Sequence, residues 1–225
     1  MTFNGFIPMD LVNWPGRMAA TVFTASCNFR CPYCHNADLV TGKESKTYTE
    51  EEILGFLKRR PAVDSLVISG GEPTIHRDLP DFIREVKKLG KSVKLDTNGT
   101  NPDMIEELVY GRQVDYIAMD LKAPWYKYHL VGIGTLLGKV KRSLWILRHS
   151  CSENNVLTEL RTTCSKDMLT KRDIIEIVGI ADGMELALQV FDPKVTLDPM
   201  WHEAEPWTKE ELEDLSRPFP NVYVR

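Results

Sequence analysis

Short apolar runs alternate with amphipathic helical segments about six times along the 225-residue chain. The candidate strands occupy residues 19–25, 65–69, 93–95, 116–119, 157–162 and 185–191, with 222–224 as a closing strand. Strands that are joined by crossover helices pair in parallel. The pattern therefore predicts an α/β fold with a parallel sheet. About six such units suit a partial, open (β/α)6 barrel better than a closed barrel, which needs eight.

Polar capping residues mark where the intervening helices begin. Thr49-Glu50-Glu51-Glu52 has the form of a capping box, and Asn101-Pro102 places proline at the tolerated first helical position. Thr170 and Thr208 are further candidate N-caps. These signals place helices between the strands, as a parallel sheet requires.

The chain is long enough for one well-buried domain. We expect a single domain over residues 1–225, with a core at about 18–191 and residues 192–225 packed on it as a C-terminal extension. Residues 1–17 show no regular period and contain Pro8 and the turn Trp14-Pro15-Gly16. We therefore predict that this first segment is irregular.

Three of the five cysteines, Cys27, Cys31 and Cys34, share one short loop. Pro32 argues against a helix there, so the natural geometry is a loop wrapped around one metal centre. Three thiolates are one short of a closed site, which predicts an iron–sulfur cluster with one iron left for another ligand. A zinc site completed by His35 or by a distant residue is the alternative. The adjacent Cys34 and His35 would, however, have difficulty reaching the same ion.

Polar motifs follow three successive candidate strands at the point where each strand ends. They are Gly70-Gly71-Glu72-Pro73, Asp96-Thr97-Asn98-Gly99 and Asp120-Leu121-Lys122. Taken singly, each could be turn chemistry or a surface ion pair. Ligands of parallel α/β folds bind at the carboxyl ends of the strands, so the three motifs together predict a binding site. A carboxylate at Glu72 suits an ammonium group on the ligand.

Composition limits the partners that such a chain can have. The chain is 43% hydrophobic and 27% charged, as ordinary soluble globular proteins are. Its formal net charge of −4 argues against nucleic acid as a partner. No apolar run is long enough to cross a bilayer, the start lacks the features of a signal peptide, and an odd cysteine count is not typical of a secreted disulfide framework. We expect a cytoplasmic protein without a membrane partner.

Cys27-x-x-x-Cys31-x-Tyr33-Cys34, together with Gly70-Gly71-Glu72-Pro73, resembles the signature of the radical S-adenosylmethionine (SAM) superfamily. The resemblance spans roughly residues 5–191 and includes the partial barrel. The motifs at 31–36, 96–99 and 120–122 resemble those of the glycyl-radical-enzyme activases. Residues 5–16 and 29–36 are most similar to the activating proteins of anaerobic ribonucleoside-triphosphate reductase.

The resemblance implies a role for each motif. Cys27, Cys31 and Cys34 would hold a 4Fe–4S cluster, whose fourth iron is chelated by SAM. Cofactor contacts are implied for Tyr33 at the adenine, for Gly70, Gly71 and Glu72 at the amino group, and for Thr97, Lys122, Arg161 and Gln189. Asp96, Thr97 and Asp120, with the Ala118 carbonyl, match a monovalent-cation site described for pyruvate formate-lyase activase. Arg161 could instead satisfy a buried carboxylate.

The resemblance also implies a reaction and partners. The reduced cluster would cleave SAM to methionine and a 5′-deoxyadenosyl radical, which takes a hydrogen atom from a glycine of a client enzyme. The implied client is anaerobic ribonucleotide reductase, and the implied electron donor is a flavodoxin or ferredoxin-type protein. Alternatives are another glycyl radical client, a small-molecule substrate, an iron–sulfur electron carrier or a zinc-stabilised binding module. Cys151 and Cys164 stand alone and are expected to be packed side chains.

Overall fold

The protein is described by a computed structural model that covers residues 1–43, 46–131 and 134–225. Its strands are β1 (Thr2–Asp10), β2 (Ala19–Thr24), β3 (Tyr48–Thr49), β4 (Ser65–Gly70), β5 (Ser92–Thr97), β6 (Tyr116–Asp120), β7 (Leu157–Cys164), β8 (Leu186–Val190) and β9 (Val222–Val224). Its helices are α1 (Ala37–Thr41), α2 (Glu50–Arg59), α3 (Leu79–Lys88), α4 (Pro102–Tyr110), α5 (Leu137–Ser150), α6 (Lys171–Ala181) and α7 (Lys209–Ser216). None of the helices in these ranges is long and apolar enough to cross a membrane.

The strands form one open sheet in the order β3-β1-β2-β4-β5-β6-β7-β8-β9. Seven strands pair in parallel and are connected by helices: β2, β4, β5, β6, β7, β8 and β9. β1 is antiparallel to β2, and β3 is antiparallel to β1. The sheet is not closed, because β3 and β9 are its two edges. The predicted α/β fold with an open, mostly parallel sheet is confirmed.

The prediction for residues 1–17 was wrong, because residues 2–10 form strand β1. Pro8 falls where the pairing with β2 is irregular, between the partners of Ile7 and Asp10. Proline is tolerated at such a position because no ladder hydrogen bond is required of it. The Asp10 carboxylate then accepts hydrogen bonds from the backbone of Val12 and Asn13, which begins the turn into β2.

The predicted helix starts are confirmed. Thr49 and Thr208 form capping boxes with the glutamates three residues later, and Thr170 forms one with Asp173. The Asn101 side chain accepts a hydrogen bond from the Met104 backbone at the start of α4. Each such cap contributes about 1 kcal/mol by satisfying a backbone donor that has no partner within the helix.

The two faces of the parallel strands differ in chemistry. One face packs against the helices and is mostly apolar: Val22, Leu66, Ile68, Leu95, Ile117, Met119, Leu160 and Leu188 are fully buried there, and the buried Thr162 donates its hydroxyl to the Leu121 carbonyl. Burial of one such side chain contributes about 1.5–3 kcal/mol. The alternate residues face the inside of the half-barrel and include charged groups such as Lys94, Asp96 and Arg161. The charged side chains of the sheet therefore lie on the inner face of the half-barrel, which is called the concave face below.

Candidate active site

One cavity of about 340 Å³ lies at the carboxyl ends of the parallel strands. All but one of the predicted site residues line it: Cys27, Cys31, Tyr33, Cys34, Gly70, Gly71, Glu72, Asp96, Thr97, Asp120, Lys122, Arg161 and Gln189. These residues come from the cysteine loop and from five different strands or strand ends. Ala118, whose carbonyl was predicted at the cation site, is not among the lining residues. A cavity of this size can hold a small organic cofactor.

The cysteine loop runs from the end of β2 to α1. It begins at Ser26, whose φ of +64° is in the left-handed region that favours glycine. Cys31 is buried, and burial raises the pKa of its thiol to about 11, whereas Cys27 and Cys34 are partly exposed. The Cys31 thiol donates a hydrogen bond to the Val131 carbonyl at 3.0 Å. This thiol is therefore protonated at neutral pH until a metal displaces the proton.

The spacing of the thiols bears on which metal centre they could hold. Across residues 1–43, 46–131 and 134–225, no three His, Cys, Asp or Glu side chains are grouped closely enough to share one metal ion. In an iron–sulfur cluster each cysteine ligates a different iron, so the thiols need not converge on one point. The His35 ring lies against Phe191, with 6.0 Å between centroids.

Gly70 and Gly71 are required by the chain that surrounds them. A Cβ on Gly71 would lie 1.7 Å from the Ser26 carbonyl oxygen, and Gly70 has a φ of +116°. The Gly71 N–H donates to Thr24 O at 2.9 Å, and the Glu72 N–H donates to Ser26 O at 2.9 Å. The two glycines therefore allow the end of β4 to dock directly on the start of the cysteine loop, a reason that the sequence did not reveal.

Glu72 is fully buried, and its carboxylate is held by four donors. Oε1 accepts from the Thr74 N–H at 3.0 Å, from the Thr74 hydroxyl and from the Thr97 hydroxyl at 2.7 Å, while Oε2 accepts from the Asn98 N–H at 2.6 Å. Burial raises the pKa of Glu72, although these hydrogen bonds oppose the shift. The carboxylate is thereby fixed in one orientation at the cavity wall.

Five side chains form a charged row across the concave face, with alternating sign: Lys94, Asp96, Arg161, Asp120 and Lys122. Lys94 Nζ is 3.7 Å from Asp96 Oδ1, and Arg161 Nη1 is 3.0 Å from Asp96 Oδ2. Arg161 Nη2 is 2.9 Å from Asp120 Oδ1, and Lys122 Nζ is 3.0 Å from Asp120 Oδ2. Three cations and two carboxylates leave the charged row with a net charge of +1.

Strand register creates this arrangement. Asp120 on β6 lies opposite Arg161 on β7, and Asp96 on β5 lies opposite Ala118 on β6. Burial alone would raise the pKa of Asp120, but Arg161 and Lys122 lower it to about 2. Arg161 therefore satisfies the buried carboxylate of Asp96 and the partly exposed carboxylate of Asp120, which is the alternative role that its inward position raised.

Two polar atoms at the cavity have no hydrogen-bond partner among the described residues, although both are buried. They are the Tyr33 hydroxyl and Asp96 Oδ1. The Tyr33 ring packs against Trp201 and Phe191, with centroids 5.5 and 6.5 Å away. A buried polar atom without a partner is costly, so these two atoms are available to a ligand.

Sequence reasoning gave no role to two asparagines that join the motifs together. Asn36 Nδ2 donates to the Gly70 carbonyl at 2.8 Å, which ties the cysteine loop to the end of β4. Asn98 Nδ2 lies 3.8 Å from Cys27 Sγ. The only sequence signal was that both residues fall within motifs already chosen for other reasons, and Asn98 had been attributed to turn chemistry.

Comparisons with known proteins agree with this geometry. The family model described as the Radical SAM superfamily matches residues 21–148, which is more than half of the chain. A protein of Methanocaldococcus jannaschii that carries the name of a glycyl-radical enzyme activating enzyme is 33% identical over 217 residues, which cover 95% of this chain and 90% of the relative. The pyruvate formate-lyase-activating enzyme of Clostridium pasteurianum is 33% identical over 120 residues, which cover 51% of this chain and 49% of that enzyme.

Among solved structures, Streptococcus suis SuiB bound to its precursor peptide SuiA superimposes with a TM-score of 0.67 at 14% identity. The match covers 91% of this chain but only 48% of SuiB, so the chain spans about half the length of that protein. At this identity the likeness concerns the fold alone. The family model and the relative from Methanocaldococcus jannaschii carry the assignment: the chain belongs to the radical SAM superfamily.

Proposed function

We propose that the chain is an activase that generates a glycyl radical on a client enzyme. Membership of the radical SAM superfamily implies a 4Fe–4S cluster and SAM, and the names of two relatives support the activase role. The observation that carries the proposal is that three thiols, the Glu72 carboxylate and four members of the charged row line the same cavity; these four are Asp96, Asp120, Lys122 and Arg161.

Cys27, Cys31 and Cys34 would ligate the cluster. The bound groups would supply radical chemistry: one electron from the reduced cluster would cleave SAM to methionine and a 5′-deoxyadenosyl radical, and this radical would take a hydrogen atom from a glycine α-carbon of the client. The work of the chain is to orient the cofactor and to exclude water. What supports this assignment is that part of the cavity wall is buried, including Cys31, Tyr33 and Glu72, and that Glu72 is held by donors on two different strand ends.

The remaining contacts follow from charge and position. Glu72, beside Gly70 and Gly71, would meet the ammonium group of the methionine moiety. The ammonium group of Lys122, which lines the cavity and whose side chain is 16% exposed, would meet the carboxylate of the methionine moiety. The unpartnered hydroxyl and the ring of Tyr33 suit the adenine. Thr97, Arg161 and Gln189 complete the proposed contacts.

A monovalent cation at Asp96, Thr97 and Asp120 is a second part of the proposal. Asp96 Oδ1 supports it, because this carboxylate oxygen accepts no hydrogen bond, although Lys94 Nζ lies 3.7 Å from it. Arg161 competes with it, since the guanidinium already contacts both carboxylates. Comparing SAM affinity in potassium and in tetramethylammonium chloride at equal ionic strength tests this part. A higher affinity in potassium is expected, and equal affinities would contradict it.

The preferred client is anaerobic ribonucleoside-triphosphate reductase, with a flavodoxin or ferredoxin-type electron donor. The similarity of residues 5–16 and 29–36 to the activating proteins of that enzyme supports this client. The similarity to a pyruvate formate-lyase-activating enzyme favours the alternative client of that type. In either case we propose that residues 1–225 act as one domain, with 192–225 packed on the core.

The test is a glycyl radical assay. Reconstituted protein, SAM and a reductant are incubated anaerobically with each candidate client, and the electron paramagnetic resonance spectrum of the client is recorded. Cys34→Ser serves as the inactive variant, and Cys164→Ser, which changes a buried cysteine away from the cavity, serves as the matched control. We expect a glycyl radical in the anaerobic reductase. Formation of 5′-deoxyadenosine without a radical on any client would contradict the activase role and favour a small-molecule substrate.

A further inference from the structure

The side chain of Asn98 is the one amide that reaches a predicted cluster ligand among the described residues. Its Nδ2 lies 3.8 Å from Cys27 Sγ and donates to Asn28 Oδ1 at 2.9 Å. The backbone N–H of Phe29 also points at the same sulfur, at 3.3 Å. Two N–H groups therefore converge on Cys27.

The orientation of the Asn98 amide is fixed by a group that can only donate. The Thr100 N–H lies 3.0 Å from Asn98 Oδ1, so this atom must be the oxygen and the other must be the NH₂ group. The Thr100 hydroxyl donates to the same oxygen at 2.6 Å. Because Asn98 is only 4% exposed, its amide has no alternative partner in solvent.

We propose that Asn98 is a positioning residue that raises the reduction potential of the cluster through an N–H···S hydrogen bond to Cys27. Reduction adds negative charge that is shared by the cysteine sulfurs, and donors to those sulfurs stabilise the reduced form. This inference rests on the proposed function, because it requires Cys27 to be a cluster ligand.

The same residue also contacts the proposed cofactor side of the cavity. The Asn98 backbone N–H donates to Glu72 Oε2 at 2.6 Å, while its side chain turns to Cys27. Asn98 thus joins the carboxylate expected at the SAM amino group to the sulfur expected on the cluster. A change in its side chain leaves the backbone contact with Glu72 intact, so the two contacts can be separated by substitution.

The experiment is an anaerobic redox titration of the reconstituted protein without SAM, with the reduced cluster followed by electron paramagnetic resonance. Asn98→Leu removes the donor and keeps a similar volume, and Asn98→Asp keeps the acceptor for Thr100 but replaces the donor with a negative charge. Thr100→Val is the matched control, because it removes one hydroxyl from the same network and leaves the Thr100 N–H in place. Iron and sulfide per chain are measured for every variant.

We expect the reduced-to-oxidised ratio of Asn98→Leu to fall about tenfold at the wild-type midpoint, as the loss of one hydrogen bond to a charged group implies. For a one-electron couple this is a shift of about 59 mV to lower potential. The midpoint potential of Asn98→Asp should be lower still, and that of Thr100→Val should equal the wild-type value. If Asn98→Leu takes up no cluster, the midpoint potential of Asn98→Asp tests the proposal in its place.

An Asn98→Asp midpoint at or above the wild-type value would overturn the proposal. So would a shift in Thr100→Val as large as that in Asn98→Leu, because the effect would then belong to the network and not to the donor. Failure of the wild-type protein to take up iron and sulfide is a separate result. It would overturn the proposed function itself, and this inference with it.

Discussion

Arg161→Met should remove the largest single electrostatic support of the concave face. The guanidinium contacts Asp96 at 3.0 Å and Asp120 at 2.9 Å, and its side chain is only 12% exposed. Lowering the pKa of Asp120 from 3.8 to about 2 corresponds to about 2.4 kcal/mol of stability at neutral pH. Leaving the buried carboxylate of Asp96 without the Arg161 guanidinium adds a desolvation cost, so we expect a loss of about 3–5 kcal/mol.

Arg142→Met is the matched control for this substitution. Arg142 also contacts two carboxylates, those of Asp103 and Glu106, but its side chain is 49% exposed. Solvent screens such a pair, so the same substitution should cost much less stability than Arg161→Met does. The assay is urea unfolding of the metal-free, reduced protein followed by circular dichroism. Equal losses in the two variants would refute the claim that burial sets the strength of the charged row.

The stability difference between Arg161→Met and the wild type should depend on pH. In the wild type, the contribution of Asp120 is fully present above its unfolded pKa of 3.8 and is lost as pH falls toward its folded pKa of about 2. Without Arg161, burial of Asp120 is opposed by one cation fewer, so the pKa of Asp120 rises and this carboxylate takes up its proton at a higher pH. The loss of unfolding free energy in Arg161→Met should therefore be largest at neutral pH and smaller near about pH 4. A deficit that is the same at both pH values would count against this explanation.

Three further substitutions test individual contacts. Gly71→Ala should abolish cluster uptake, measured as iron per chain, because its Cβ would lie 1.7 Å from the Ser26 oxygen. The control Gly138→Ala, whose Cβ meets nothing within 4 Å, should take up the cluster normally. Normal uptake in Gly71→Ala would contradict the docking role. Tyr33→Phe removes a buried hydroxyl that has no hydrogen-bond partner, so the stability of the metal-free protein should stay equal or rise by up to about 1 kcal/mol. The affinity for SAM, measured by calorimetry, should fall. An unchanged affinity would exclude the hydroxyl as a SAM contact. Cys164→Ala should leave iron content unchanged, and a loss of iron would make that buried cysteine a ligand.

Much of the fold was predictable because apolar runs define buried parallel strands. The six central strands begin and end within about two residues of their predicted limits. β1 escaped prediction because its pairing is irregular around Pro8 and because exposed apolar residues such as Ile7 and Met9 break the expected alternation. The two-residue β3 and the five-residue α1 are too short to leave a periodic signal.

The membership of the cavity was predictable, but its internal contacts were not. Motifs that follow parallel strands must meet at one edge of the sheet, and this brought Glu72, Asp96 and Asp120 together. The bridging position of Arg161 depends on the register between β6 and β7, which no local pattern reveals. The contact of Asn98 with Cys27 depends on how the cysteine loop packs on a residue 71 positions later in the chain.

The central claim is that the cysteine loop and the cavity together hold a cluster that acts on SAM. Its most direct test is anaerobic reconstitution with iron and sulfide, followed by reduction, addition of SAM and electron paramagnetic resonance of the reduced cluster, with an assay for 5′-deoxyadenosine. We predict that SAM alters the cluster signal and that 5′-deoxyadenosine forms. A cluster signal that is unchanged by SAM, without product, or a colourless protein that binds zinc would contradict the account.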